Sequence, residues 1–181
     1  LPVGKLVCAS NRNNVLTDFI RTGTYDARRE FYKTSSPSMD ILISSNLERL
    51  LYHVSGSSGK VSAWMRELAQ TGTYTVDAET LAAVQESFAA GYAGEAECAG
   101  EIRARYEQDG YLCDTHTAVA FRVAEACRGE APMVVLSTAS PFKFPRDVLA
   151  ALGTQAPSGD FAAMAALEKK TGTCAPQSLR E

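Results

Sequence analysis

The chain has 181 residues, 45% of them apolar, which is enough for one good-sized domain with a real hydrophobic core. Its formal charge of −3, with lysines and arginines scattered and no basic run, gives no electrostatic reason to expect nucleic acid or an anionic membrane and points to a small-molecule partner. Cys8, Cys98, Cys113, Cys127 and Cys174 form an odd set with no C-x-x-C pair and no histidine at ligand spacing, so a disulfide framework and a zinc site are disfavoured and reduced thiols in a cytoplasm are expected.

In chain order, the opening LPVG reads as a turn, which suggests that more of the fold precedes it. No apolar run nears the ~18 residues of a membrane span and no signal pattern leads the chain, so a soluble, untargeted protein is expected. Residues 5–10 (KLVCAS) are short, continuously apolar and end in small polar residues, as a buried strand does. Asn14 is placed to cap a helix carrying Val15, Phe19 and Ile20 and closed by Gly23. Ser45 and Glu48 have capping-box spacing ahead of Leu47, Leu50, Leu51 and Val54, and a loop over 55–60 leads to a second helix with Val61, Trp64, Met65 and Leu68. The two helices are expected to pack antiparallel.

Asp77 caps a further helix in which Leu81, Val84 and Phe88 face inward, and EIRARYEQDG (101–110) follows as another. A helix runs from the polar cluster at Asp114 to Gly129, just before MVVLST (133–138), the second predicted buried strand. Pro145 occupies the first position of the next helix, and Ser158 caps the last, which ends near Lys169 and Lys170. The resulting division is a single fragment, with residues 1–22 and 130–153 as its α/β sheet portion, 23–129 mainly helical and 154–181 a terminal helix and tail. Two parallel strands do not make a stable sheet by themselves, so the remaining strands are expected from residues before Leu1. Exposed sheet edges would also allow self-association of the fragment.

Ligands bind at the carboxyl ends of strands in open α/β sheets, which singles out ASNRNN (9–14) and STAS (137–140), expected side by side if the two strands are parallel neighbours. The plainer reading is that these are ordinary caps and turn formers.

Four collinear segments carry a resemblance over roughly residues 1–150: LPVGKLVCASNRNNVLTDFIRTGTYD, FYKTSSPSMDILISSNLERLLY, GYLCDTHTAVAF and LSTASPFKFP. Together they resemble the C-terminal part of threonine synthases, pyridoxal 5'-phosphate enzymes of the tryptophan-synthase-β type. The resemblance implies an α/β fold, a partial parallel sheet covered by many helices, forming the C-terminal portion of a fold type II enzyme. It also implies conversion of O-phospho-L-homoserine and water to L-threonine and phosphate. In the family the Schiff-base lysine and the glycine-rich phosphate loop lie upstream. The fragment alone is therefore expected to be inactive and to need the N-terminal half of the same enzyme as partner.

By the same resemblance Thr138 matches the threonine of a T-A-H-P-A-K-F motif whose hydroxyl meets the pyridine nitrogen of the cofactor. The chain departs from that motif at Ser140 (histidine in the family) and Phe142 (alanine). Asn11 and Asn13 match an A-T-N-x-N-D segment, with Asn11 the cofactor candidate and Asn13 holding the turn. His116 is a substrate candidate beside its capping role with Asp114, Thr115 and Thr117, and Ser38 and Asp40 are candidates at the active-site edge. No catalytic residue and no metal ligand is assigned to this chain. Lys143 is read as a surface lysine, Lys33 as equally able to pair with phosphate or with a carboxylate, His53 as half-buried, and Trp64 and Met65 as packing. The rival class is a non-catalytic α/β ligand-binding or regulatory module.

Overall fold

A computed structural model of the chain describes residues 3–180. The chain divides into two units, one running up to Lys33 and resuming over Ser38–Tyr92, the other comprising Thr34–Pro37 and the residues from Ala93 onward. The mixed architecture, a small parallel sheet with many helices, is the expected α/β class.

In the first unit, strand β1 (Leu6–Ser10) feeds helix α1 (Val15–Thr22), whose buried Val15, Phe19 and Ile20 fall at helical spacing on one face. Asn14 stands at the expected N-cap position, but its side-chain oxygen accepts from Arg29 Nη1 at 2.9 Å instead of capping. Gly23 ends the helix at φ 78°, a left-handed conformation that favours glycine, and an added Cβ would press on Leu81 Cδ2 at 3.1 Å. The chain then enters β2 (Thr24–Asp26), antiparallel to β3 (Thr73–Thr75) with Tyr25 opposite Tyr74.

That pairing organises the core. The two tyrosine rings stack at 5.4 Å, Phe19 of α1 sits 6.0 Å from each, and Trp64 of α3 (Ser58–Thr71) lies 6.4 Å from Tyr74. Leu47 and Leu51 of α2 (Ser45–Ser55) complete the cluster. Helix α2 takes Ser44 as N-cap without a side-chain bond, so the expected Ser45–Glu48 capping box does not form.

Asp77 caps α4 (Ala78–Ser87) as expected, accepting from the Thr80 N–H at 2.9 Å, and Lys60 Nζ lies 3.1 Å from its other oxygen. The helix does not continue through Phe88. At that residue the backbone extends (φ −120°, ψ 138°) into β4 (Phe88–Tyr92), parallel to β1 from Leu6↔Phe88 to Ser10↔Tyr92. The local sequence FAAGY has a helix former at two of five positions, but five ladder partners along β1 outweigh that weak preference.

The second unit is helical. α5 (Glu95–Asp109) starts earlier than expected, with the Glu97 carboxylate accepting from the Gly94 N–H at 3.0 Å. It packs against α6 (Thr115–Ala126) and α7 (Pro145–Ala151), and α7 packs against α8 (Asp160–Thr171). Ile102, Val119, Val123, Val148, Leu149 and Leu167 are buried. The N-cap of α8 is Gly159, not Ser158.

The largest departure concerns residues 133–138. They form no strand, and Val134 and Leu136 are 79% and 74% exposed. A continuously apolar strand is buried only when it has ladder neighbours and cover on both faces, and no described strand pairs with this segment. The neighbour of β1 is β4, correcting the expectation that 133–138 would lie beside it.

Candidate functional site

At the end of β1 the chain makes a closed polar frame. Asn11 is completely buried; its Nδ2 donates to Asp40 Oδ1 at 2.7 Å, and its Oδ1 accepts from the Asn13 N–H at 2.9 Å. Asn13 Nδ2 donates to Tyr32 O at 2.8 Å and to Asp40 Oδ1 at 3.0 Å, and its Oδ1 accepts from the Tyr32 N–H at 2.9 Å. Asp40 thus joins both asparagines. Below them Thr17 donates to Gly91 O at 2.8 Å, tying α1 to β4. The guanidinium of Arg12 stacks 3.6 Å above the Tyr32 ring. Ser38 is exposed and Lys33 is exposed.

The second cluster lies at the start of α6. Asp114, fully buried at the N-cap, accepts from the N–H groups of His116 (2.8 Å) and Thr117 (3.3 Å) and from the Thr117 hydroxyl. His116 Nδ1 lies 3.1 Å from Asp114 Oδ1, and its ring packs 4.8 Å from that of Phe144. Burial pushes the Asp114 carboxyl up, but the bonds from His116 and Thr117 outweigh it and hold the group below its ordinary value.

From Thr117 the network continues outward. Ser137 Oγ is 3.3 Å from Thr117 Oγ1 and 3.1 Å from the Tyr111 hydroxyl, so the residue preceding Thr138 is held by two side chains. Ser140 Oγ accepts from the Phe142 N–H at 3.3 Å, starting a 3₁₀ turn over Pro141–Lys143 that buries Phe142. Thr138 is exposed and lines an open concavity of about 390 Å³ with Ser137, Ser140 and Lys143, faced by Ser178 and Leu179 of the C-terminal tail.

Asn11, Asn13 and Asp40 are therefore brought together in one unit, and His116 and Thr138 in the other, linked through Asp114, Thr117 and Ser137. Sequence reasoning missed Tyr32, which holds Asn13 through its backbone, and Ser178 and Leu179, for which no linear signal exists. The relay to Ser137 had one: a buried N-cap aspartate followed by a threonine at the third position. A smaller concavity of about 330 Å³ has Glu95 and Asp147 on its lining; burial and then the Glu95 charge push the Asp147 carboxyl up.

Among the described residues no group of three or more histidine, cysteine, aspartate or glutamate side chains is placed to hold a metal, and no helix is long and apolar enough to cross a membrane.

Residues 117–179 match the protein family described as threonine synthase, C-terminal. A crystallised pyridoxal-phosphate-bound threonine synthase from Brucella melitensis superposes with a TM-score of 0.82 at 40% identity, covering 90% of this chain and 35% of that one. Threonine synthase from Pseudomonas aeruginosa is 37% identical over 161 residues, 87% of this chain and 34% of its own length. Human threonine synthase-like 1 is 39% identical over 155 residues, 84% of this chain but 21% of its own length. The chain thus spans about a fifth to a third of the relatives it matches.

Proposed function

Because the chain is homologous to the C-terminal region of threonine synthases, we propose that it forms one wall of a pyridoxal 5'-phosphate pocket in an enzyme converting O-phospho-L-homoserine and water to L-threonine and phosphate. One observation carries the reading: Thr138 lines an open, hydroxyl-rich concavity within the stretch that matches the family. The residues suit the cofactor. A pyridine nitrogen needs a compact polar partner, and the exposed Thr138 offers one from a loop held by Ser137.

Pyridoxal phosphate, when bound, supplies an electron sink for carbanions formed on the substrate. The Thr138 hydroxyl orients the ring through a neutral hydrogen bond, where a carboxylate would hold the ring nitrogen protonated. Asp114 acts through Thr117 and Ser137 to keep the Thr138 loop in place. Asn11, assigned to the cofactor side, is framed by Asp40 and Asn13. In the second unit His116, set beside Asp114 at the start of α6, is assigned to the substrate; in the first, Asp40 and the exposed Ser38 are assigned to the edge of the active site. The Schiff-base lysine and the phosphate loop are assigned to the N-terminal part of the enzyme, the partner this chain requires, and the isolated chain is expected to be inert. The five unbridged thiols support a cytoplasmic enzyme.

The test is direct. The complete enzyme, supplied with pyridoxal phosphate, should develop visible absorbance and release phosphate from O-phosphohomoserine. A colourless, inert protein under those conditions would remove the reading and favour the ligand-binding module.

A further inference from the structure

The tail beyond α8 is folded back on that helix by a single carboxylate. Gly172 ends α8 at φ 71°, its N–H donating to Glu168 O at 2.8 Å, and the chain reverses. Glu168 Oε1 then accepts from the Ala175 N–H at 2.7 Å and from Arg180 Nη2, so one oxygen holds both ends of the segment 175–180. Between those anchors, Leu179 N–H donates to Pro176 O at 3.0 Å and Arg180 N–H to Gln177 O at 2.9 Å, forming a 3₁₀ turn. Ala175 is buried, which fixes the root of the segment. The turn presents Ser178 and Leu179 to the same concavity as Thr138 and Lys143.

We propose that residues 175–180 are a strap closing the outer side of the Thr138 site, with Glu168 the positioning residue that holds it and Ser178 and Leu179 the side chains that meet the ligand. The inference rests on the cofactor reading above and deepens it. Leu179 offers an apolar surface to a flat heteroaromatic ring, and Ser178 and Lys143 offer polar partners to its substituents. The Ala175 N–H, ahead of the Arg180 contact, keeps the Glu168 carboxyl below its ordinary value, so the latch carries its charge at neutral pH.

The experiment uses the complete enzyme and two readouts: hydrogen exchange of the 171–181 peptide, and the dissociation constant for pyridoxal phosphate by absorbance titration. Glu168→Ala should accelerate exchange and weaken cofactor binding about fivefold. Glu168→Gln, which keeps an acceptor for Ala175, should recover most of both. Ser178→Ala, an exposed change that leaves the latch intact, should weaken binding by about twofold to threefold with exchange unchanged. The proposal is overturned if Glu168→Ala leaves exchange unaltered, or if it loosens the peptide while cofactor affinity stays at the wild-type value. Failure of the wild-type enzyme itself to bind pyridoxal phosphate overturns the functional reading, and the strap's role with it.

Discussion

The two units treat their polar residues in opposite ways. In the first, Asn11 and Asn13 are buried and bonded to each other, to Asp40 and to the Tyr32 backbone, so the end of β1 is a closed frame. In the second, the buried Asp114 and Thr117 lie beneath an outer layer of exposed groups, Thr138 and Lys143, that face open space. A frame whose amides are already bonded sets backbone shape, because turning any one outward strands its partner. An exposed hydroxyl on an anchored loop exchanges water for a ligand at little cost. The first unit therefore holds its strand end rigid, and the second leaves hydroxyl groups open to solvent.

Removing the base of each arrangement gives the largest effects. Asp114→Ala strips the cap of α6 and leaves two buried N–H groups without their acceptor and the Thr117 hydroxyl with Ser137 alone, an expected loss of about 3 kcal/mol in a urea melt, with faster hydrogen exchange at the α6 start. Asp40→Ala removes one oxygen shared by two amides and should cost about 2 kcal/mol, since the asparagines retain their mutual bond and the Tyr32 backbone. A larger loss from Asp40 than from Asp114 would invert the comparison.

Acid should separate the caps without mutation. Asp77 is held down to about 2, chiefly by the Thr80 N–H and then Lys60, and Asp114 also lies below its ordinary value. Both pKa values are depressed by folding, so their stabilisation is complete above the unfolded carboxylate value of about 3.9 and disappears as pH falls through the folded values. Amide exchange at the starts of α4 and α6, corrected for the intrinsic pH dependence, should stay protected at pH 5 and lose protection toward pH 2. Loss of protection between pH 7 and 5 would contradict these assignments.

Thr138→Val probes the outer layer alone. Because Thr138 is exposed, the melt should not move, while affinity of the complete enzyme for pyridoxal phosphate should fall about fivefold, the equivalent of one hydrogen bond of about 1 kcal/mol. Unchanged affinity would take Thr138 off the cofactor.

Local chemistry was legible wherever it needed no distant partner. Asp77, Asp114, Pro145 and Gly23 mark helix ends in both sequence and structure. Elements that depend on a remote neighbour were not. FAAGY became a strand because β1 lies alongside it, and MVVLST, with the better strand composition, did not pair among the described residues. The short strands at Tyr25 and Tyr74 are three residues each and carry no readable alternation; their pairing comes from ring stacking in the core. Among the candidate residues of each unit, Asn11 and Thr138 are named by resemblance, whereas Tyr32 in the first unit and the tail in the second enter only through the folded path of the chain.

The smallest expected effect tests the closed character of the first unit at its one exception. Tyr74 is buried, and among the described residues its hydroxyl is the single buried side-chain polar atom without a hydrogen-bond partner; burial, ahead of the nearby Tyr25 and Glu48, pushes its pKa up. Its stacked neighbour Tyr25 donates its hydroxyl to Leu42 O and accepts from the Ser44 N–H, both at 2.9 Å. The two rings share a core and differ in this respect, so the matched changes should differ in their effect on stability. Tyr25→Phe should destabilise by about 1 kcal/mol, because two backbone groups lose their partner. Tyr74→Phe removes a desolvated hydroxyl and keeps the stack, and should leave stability unchanged or raise it by up to about 1 kcal/mol. A loss on Tyr74→Phe equal to that on Tyr25→Phe would mean that the hydroxyl at 74 is bonded in the folded protein, and that the first unit is closed without exception.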